Sequence, residues 1–135
     1  MTLLDIIIEL PKEGEFNFYQ LTDCQFLSHI FRAQITALDN KELTERRLVS
    51  MRGHQFTERV IQLSDTSLTY QIEGNGPIKL HLGEINYTNS NTQHFLHYKI
   101  SGTSNTWLPS WLLKAVLYYD FKRAGKRLWS VLNES

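Results

Sequence analysis

The end of the chain constrains the fold most. From Leu108 to Asn133, Leu113, Leu117, Phe121, Ala124, Leu128 and Val131 recur at steps of four, four, three, four and three. That is the period of one face of an α-helix. Leu112, Val116 and Tyr119 widen the stripe, and Pro109 suits a first helical turn. Lys114, Asp120, Lys122, Arg123, Lys126 and Arg127 interrupt the run. A bilayer span needs about 20 predominantly apolar residues, so no stable membrane insertion is expected. The stripe therefore requires a complementary apolar surface elsewhere in the chain.

Strands supply that surface. "LLDIIIEL" (3–10) is rich in β-branched residues and stops at Pro11. Between Glu15 and Phe31, apolar residues at 18, 21, 24 and 27 follow helical spacing. Thr22 and Asp23 offer a cap inside that stretch, so either two short helices or one bent helix is expected. The period then changes to two. Segments 32–38, 44–51, 55–63, 68–73, 78–88 and 92–101 alternate, separated by "DNKE", "RGH", "SDTS", "GNGP" and "NSN". Gly83, inside the fifth of them, marks a bulge or bend. The expectation is one α+β domain over 1–135: an antiparallel sheet of about seven strands, two short helices after the first, and a long C-terminal helix on one face.

Composition removes several function classes. Lys plus Arg and Asp plus Glu number 14 each, which gives no general attraction to nucleic acid. The single cysteine, Cys24, has no internal disulfide partner and suits a reducing cytoplasm. The N-terminus carries Asp5 and Glu9 and lacks the basic start and long apolar stretch of a secretory signal. His94 and His97 stand three apart on a strand and point to opposite faces, as do His81 and Glu84, while His29 and His54 are isolated. No metal site is expected on that spacing. No phosphate loop or nucleophile elbow is present, and no cofactor is expected.

Alternation assigns the inward faces. Leu68, Tyr70 and Ile72 share one, as do Ile78, Leu80 and Leu82, and Leu96, Tyr98 and Ile100. Phe56 and Val60 facing in place Glu58 between them. Val49 and Met51 facing in take Arg47 with them. A buried carboxylate needs a partner, and Arg47 and Glu58 lie on neighbouring strands of one hairpin. They read as a structural ion pair, as two solvent-facing side chains, or as a polar anchor in an apolar pocket. Trp111, Tyr118 and Trp129 fall off the helix stripe. Exposed together with Trp107, they mark a pocket mouth or a contact surface.

In this order the chain resembles the START-like superfamily (polyketide cyclase/dehydrase and lipid transport, SRPBCC), whose fold is the helix-grip of the birch pollen allergen. The stretch "RRLVSMRGHQFTERVIQLSDTSLTYQIEGNGPIKLHLGEINYT" carries the resemblance. It continues through "HFLHYKISG" and the last helix, covering residues 44–132. The opening "PKEGEFNFYQL" departs from the family's usual small or proline residues and Val-Trp-type pair. The resemblance implies a strongly curved sheet wrapped around the long helix, with a cavity between them for a hydrophobic small molecule of lipid, polyketide or aromatic type. The residues placed to line it are Arg47, Met51, Phe56, Glu58, Tyr70, Leu80, Tyr98, Leu113, Leu117 and Phe121. Two alternatives stand beside binding. One is a cyclase- or dehydratase-type enzyme using Glu58, with Arg47, Tyr70 or Tyr98. The other is a protein-interaction domain whose cavity is filled by side chains. A monomer or weak homodimer is expected.

Overall fold

The computed structural model describes residues 1–12, 16–38, 46–51, 53–73 and 76–133, without the side chain of Leu80. Among the described residues, seven strands form one antiparallel sheet: β1 (Thr2–Glu9), β2 (Gln34–Ala37), β3 (Arg46–Met51), β4 (His54–Leu63), β5 (Ser67–Glu73), β6 (Ile78–Asn89) and β7 (His94–Ser104). Strands β2 to β7 run as a meander, and β1 pairs with β7, giving the order β1-β7-β6-β5-β4-β3-β2. The helix α1 (Cys24–Phe31) follows β1, and α2 (Ser110–Asn133) ends the fold. Glu15, the start of the 44–51 segment, all of "DNKE", Arg52 of "RGH" and the first two residues of "GNGP" lie outside the described residues.

The connection from β1 to β2 is two helices, not a bent one. A 3-10 helix, Phe18–Thr22, is closed by a capping box between Asn17 and Gln20. Asp23 then caps α1, its carboxylate accepting from the backbone N–H groups of Gln25 and Phe26 at 2.9 and 3.3 Å. Arg32 ends α1 in the left-handed region (φ 53°). The Ser28 hydroxyl accepts from Ile35 N–H at 3.0 Å, which ties the start of β2 to α1. Strand β2 is short, and a short edge limits pairing with other chains.

Helix α2 starts at Ser110, two residues later than its periodicity suggests. The Pro109 carbonyl accepts from Leu112 and Leu113 N–H at 3.1 Å, so Pro109 precedes the first turn. The buried face of α2 is Leu113, Phe121, Ala124, Gly125, Leu128 and Leu132. Leu117 and Val131 are partly buried against the same core. Tyr119, expected to widen the stripe, is exposed instead. It stands with Arg123, whose guanidinium lies 5.7 Å from the ring centroid. The helix packs chiefly on β1 and α1, and little on β7.

The register shifts on β1, β4 and β6, and the shift on β6 bears on the cavity. Between Lys79 and Leu82 the β6–β7 register shifts: Lys79 pairs with Thr103, but Leu82 pairs with Ser101. Gly102 alone thus stands opposite Leu80 and His81, in a positive-φ conformation (147°). A Cβ there would fall 2.8 Å from the Lys79 carbonyl oxygen. The bulge makes His81 buried and leaves Leu82 half-buried on the other face. This corrects the expectation that Leu82 faces inward beside Ile78.

Candidate functional site

A cavity of about 310 Å³ lies between the inner face of the sheet and the N-terminal half of α2. From β3 come Arg47, Val49 and Met51, and from β4 come Phe56 and Glu58. Tyr70 and Ile72 enter from β5, Ile78, His81 and Ile85 from β6, and Tyr98 and Ile100 from β7. Leu113, Val116, Leu117, Asp120 and Phe121 form the helix wall. Leu21, Leu27 and Phe31 close the side toward the short helices, and Pro77, Thr106 and Leu108 stand at the loop end. Of the ten residues placed there by the sequence, nine line this space together. Leu80 lies outside the described side chains.

The polar part of the wall is concentrated. Arg47 and Glu58 sit directly opposite each other on β3 and β4. The Arg47 Nε–H donates to Glu58 Oε1 at 3.0 Å, and Nη1 donates to the Leu21 carbonyl at 3.0 Å. Their side chains are only 7% and 15% exposed. Burial opposes the charge on Arg47, but the Glu58 carboxylate, with Tyr70 and Tyr98 beside it, more than offsets this, and the guanidinium pKa stands above its ordinary value. The Arg47 guanidinium also lies 5.6 Å from the Tyr70 ring centroid. The anchor is therefore a closed pair, with its charge neutralised inside the protein.

Tyr70 crosses the floor of the cavity. Its ring lies over Gly83, and a Cβ at that position would overlap the phenol carbons. Gly83 is thus a place of close ring approach; the bulge itself sits opposite Gly102. Burial, and after it the negative Glu58, push the Tyr70 phenol well above its ordinary pKa. Burial likewise raises Tyr98. Both phenols are neutral hydroxyls at physiological pH. The Tyr98 ring meets Phe121 edge-on at 5.1 Å, which joins β7 to the helix wall.

Two buried histidines differ instructively. His94 is saturated: its Nδ1–H donates to the Pro11 carbonyl at 2.7 Å, and Nε2 accepts from the Tyr87 hydroxyl at 2.7 Å. His81 is 6% exposed, and its Nδ1 has no hydrogen-bond partner among the described residues. Burial lowers its pKa to about 4, so its ring is neutral at pH 7. Strand alternation alone misplaces His81, because the bulge reverses the parity. Gly102, opposite the bulge, was the signal, and it can be read only once β6 and β7 are paired.

Exposed aromatics stand before and along α2. Trp107, between lining residues Thr106 and Leu108, is 87% exposed, and Trp111 is 71% exposed. Tyr118, Tyr119 and Trp129 are also exposed, and Lys122 lies 5.4 Å from the Tyr118 ring centroid. Among the described residues, no helix is long and apolar enough to cross a membrane.

The fold is similar to that of two solved bacterial structures. One is the protein XoxI from Bacillus cereus, at 15% identity and TM-score 0.65, covering 98% of this chain and 94% of that one. The other is a putative uncharacterized protein from Bacillus thuringiensis, at 16% identity and TM-score 0.64, covering 98% and 97%. At such identities the likeness is one of fold. No family model matches the chain, and no curated protein matches it.

Proposed function

We propose that this protein binds a hydrophobic small molecule in the cavity between the sheet and α2, as a START-like helix-grip domain whose curved sheet wraps the helix. The observation that carries the reading is the cavity itself. Its volume of about 310 Å³ lies at the lower end of ligand pockets. Its wall is mostly apolar, with Arg47, Glu58, Tyr70, His81 and Tyr98 on the sheet side and Asp120 on the helix side. Side chains do not fill it, which favours a binding site over a filled-core interaction domain. The strand order, with β1 beside β7 and two short helices between β1 and β2, supports the family reading. The lone thiol of Cys24 supports a cytoplasmic setting.

The chemistry of the wall favours holding over converting. Glu58, the carboxylate best placed for acid–base work, is tied to Arg47 at 3.0 Å. A general base must reach a substrate proton directly or through one water. Here that carboxylate is already engaged by a charged donor.

Native mass spectrometry of freshly purified protein tests the proposal. The expected result is a bound species of small-molecule mass, or one that forms on adding apolar compounds and raises the thermal midpoint by mass action. A protein that stays at its sequence mass and whose midpoint is unmoved by fatty acids, aromatic ketones and aromatic hydrocarbons would contradict it.

A further inference from the structure

Arg47 and Glu58 pair with each other and His54 is an exposed part of the wall, whereas His81 is buried there and, among the described residues, has an unpartnered ring nitrogen. We infer that His81 is the ligand's polar anchor, its Nε2–H donating to a carbonyl-type oxygen on a neutral, two-ring-sized apolar molecule. This rests on the proposal that the cavity holds a ligand.

The tautomer follows from bookkeeping of donors. A neutral imidazole has one N–H donor and one acceptor nitrogen. Nδ1 is sealed from accessible space and unpartnered among the described residues. An orphaned buried N–H is rarer in proteins than an under-satisfied acceptor. Nδ1 therefore keeps the bare lone pair, and Nε2 carries the proton. His81 lines the cavity, which leaves Nε2 as the ring nitrogen to meet a ligand there. The Tyr70 ring, 5.3 Å away between centroids, holds the imidazole from the side. The bulge opposite Gly102 sets its direction.

Charge selects among acceptors. The guanidinium of Arg47 is already matched by Glu58, and Asp120 adds a second carboxylate to the wall. Among the described residues no Lys or Arg besides Arg47 lines the cavity, so a carboxylate ligand would be costly to desolvate there. A ketone, ester or similar neutral acceptor takes the hydrogen bond without that cost. Size follows from volume. A dry cavity of about 150 Å³ holds benzene, and this one is about 310 Å³, which suits two fused rings.

Three bicyclic probes of one skeleton test this: 1-tetralone, tetralin and tetrahydronaphthalene-1-carboxylate, titrated by calorimetry at pH 7.5 into the wild-type protein and His81→Phe. The expected order is tetralone tightest, by roughly 3- to 10-fold over tetralin, with the carboxylate weakest. His81→Phe is expected to lose the preference for tetralone over tetralin. Long-range ¹⁵N spectra of the wild-type imidazole give a second readout that needs no variant. They are expected to show a bare Nδ1 and a protonated Nε2 whose signal moves with tetralone and not with tetralin. Tetralin binding with no tetralone preference, a carboxylate that binds tightest, or a protonated Nδ1 would overturn the His81 assignment and leave the cavity reading standing. Failure of all three bicycles to bind would overturn the cavity reading, and this inference with it.

Discussion

The two halves of α2 meet the sheet in opposite ways. In the C-terminal half, Ala124 and Gly125 let the helix settle on β1. A Cβ on Gly125 would stand 3.0 Å from Ile8 Cγ2, and Leu128 and Leu132 are buried beside it. In the N-terminal half the helix presents Leu113, Leu117 and Phe121 across a cavity of about 310 Å³. Small residues close one end, while large ones stand off at the other. One helix thus anchors the fold and roofs a space. The stability of the domain is expected to reside at the first end and its binding capacity at the second.

The largest expected contrast is in large-to-small substitutions. Leu128→Ala at the closed end should cost about 3–4 kcal/mol, because the site is buried and packed. Leu117→Ala should cost about 1 kcal/mol, since the side chain is partly buried and already faces open space. Urea unfolding of both variants measures the difference, and equal losses would break the comparison.

The open end should also carry a pH signature. His81 has a folded pKa of about 4 against the ordinary histidine value of 6.5. Above 6.5 both states are neutral and the group contributes nothing. As pH falls from 6.5 toward 4 the unfolded chain takes the proton and the folded chain does not. Stability is therefore lost over that window, by at most about 3 kcal/mol, and the loss levels off below it. Thermal or urea midpoints of wild type minus His81→Phe across pH 4–7 isolate this contribution. A flat difference would mean that the imidazole is solvated.

The ion pair gives an effect of about the same size. Arg47→Met leaves Glu58 in the wall without its partner and should cost about 3 kcal/mol. Adding Glu58→Leu should recover at least half of that loss, because an unpaired buried charge is worse than none. Additive losses in the double variant would place the two groups in water. Smaller still is the packing contrast. Gly125→Val should cost about 1–3 kcal/mol by overpacking against Ile8. Leu117→Phe should change stability by less than about 1 kcal/mol while filling the cavity and weakening ligand binding.

Much of this was legible beforehand, for identifiable reasons. The four-and-three stepping of Leu113, Leu117, Phe121, Ala124 and Leu128 is a local signal that tertiary contacts did not override. The Arg47–Glu58 pairing followed from parity on two strands joined by a short turn, where register has little freedom. Parity failed on β6 because a single extra residue reverses every side chain beyond it. That residue is accommodated by Gly102 on the neighbouring strand, a partner that becomes visible only once β6 and β7 are paired. The same step hid His81, which reads as an outward residue in the unbroken alternation of "IKLHL". Tyr119 was misplaced for another reason: its angular position borders the stripe, and packing on β1 and α1 left it outside.

Xenon tests the central claim most directly, because it enters apolar cavities without hydrogen bonds or charge. Methyl spectra of the wild-type protein under xenon pressure should show saturable shifts at Leu117, Val49 and Ile85, which line the open end. They should show none at Leu128 and Ile8, which pack the closed end. Shifts of equal size at both ends, or none at Leu117, Val49 and Ile85, would contradict the account.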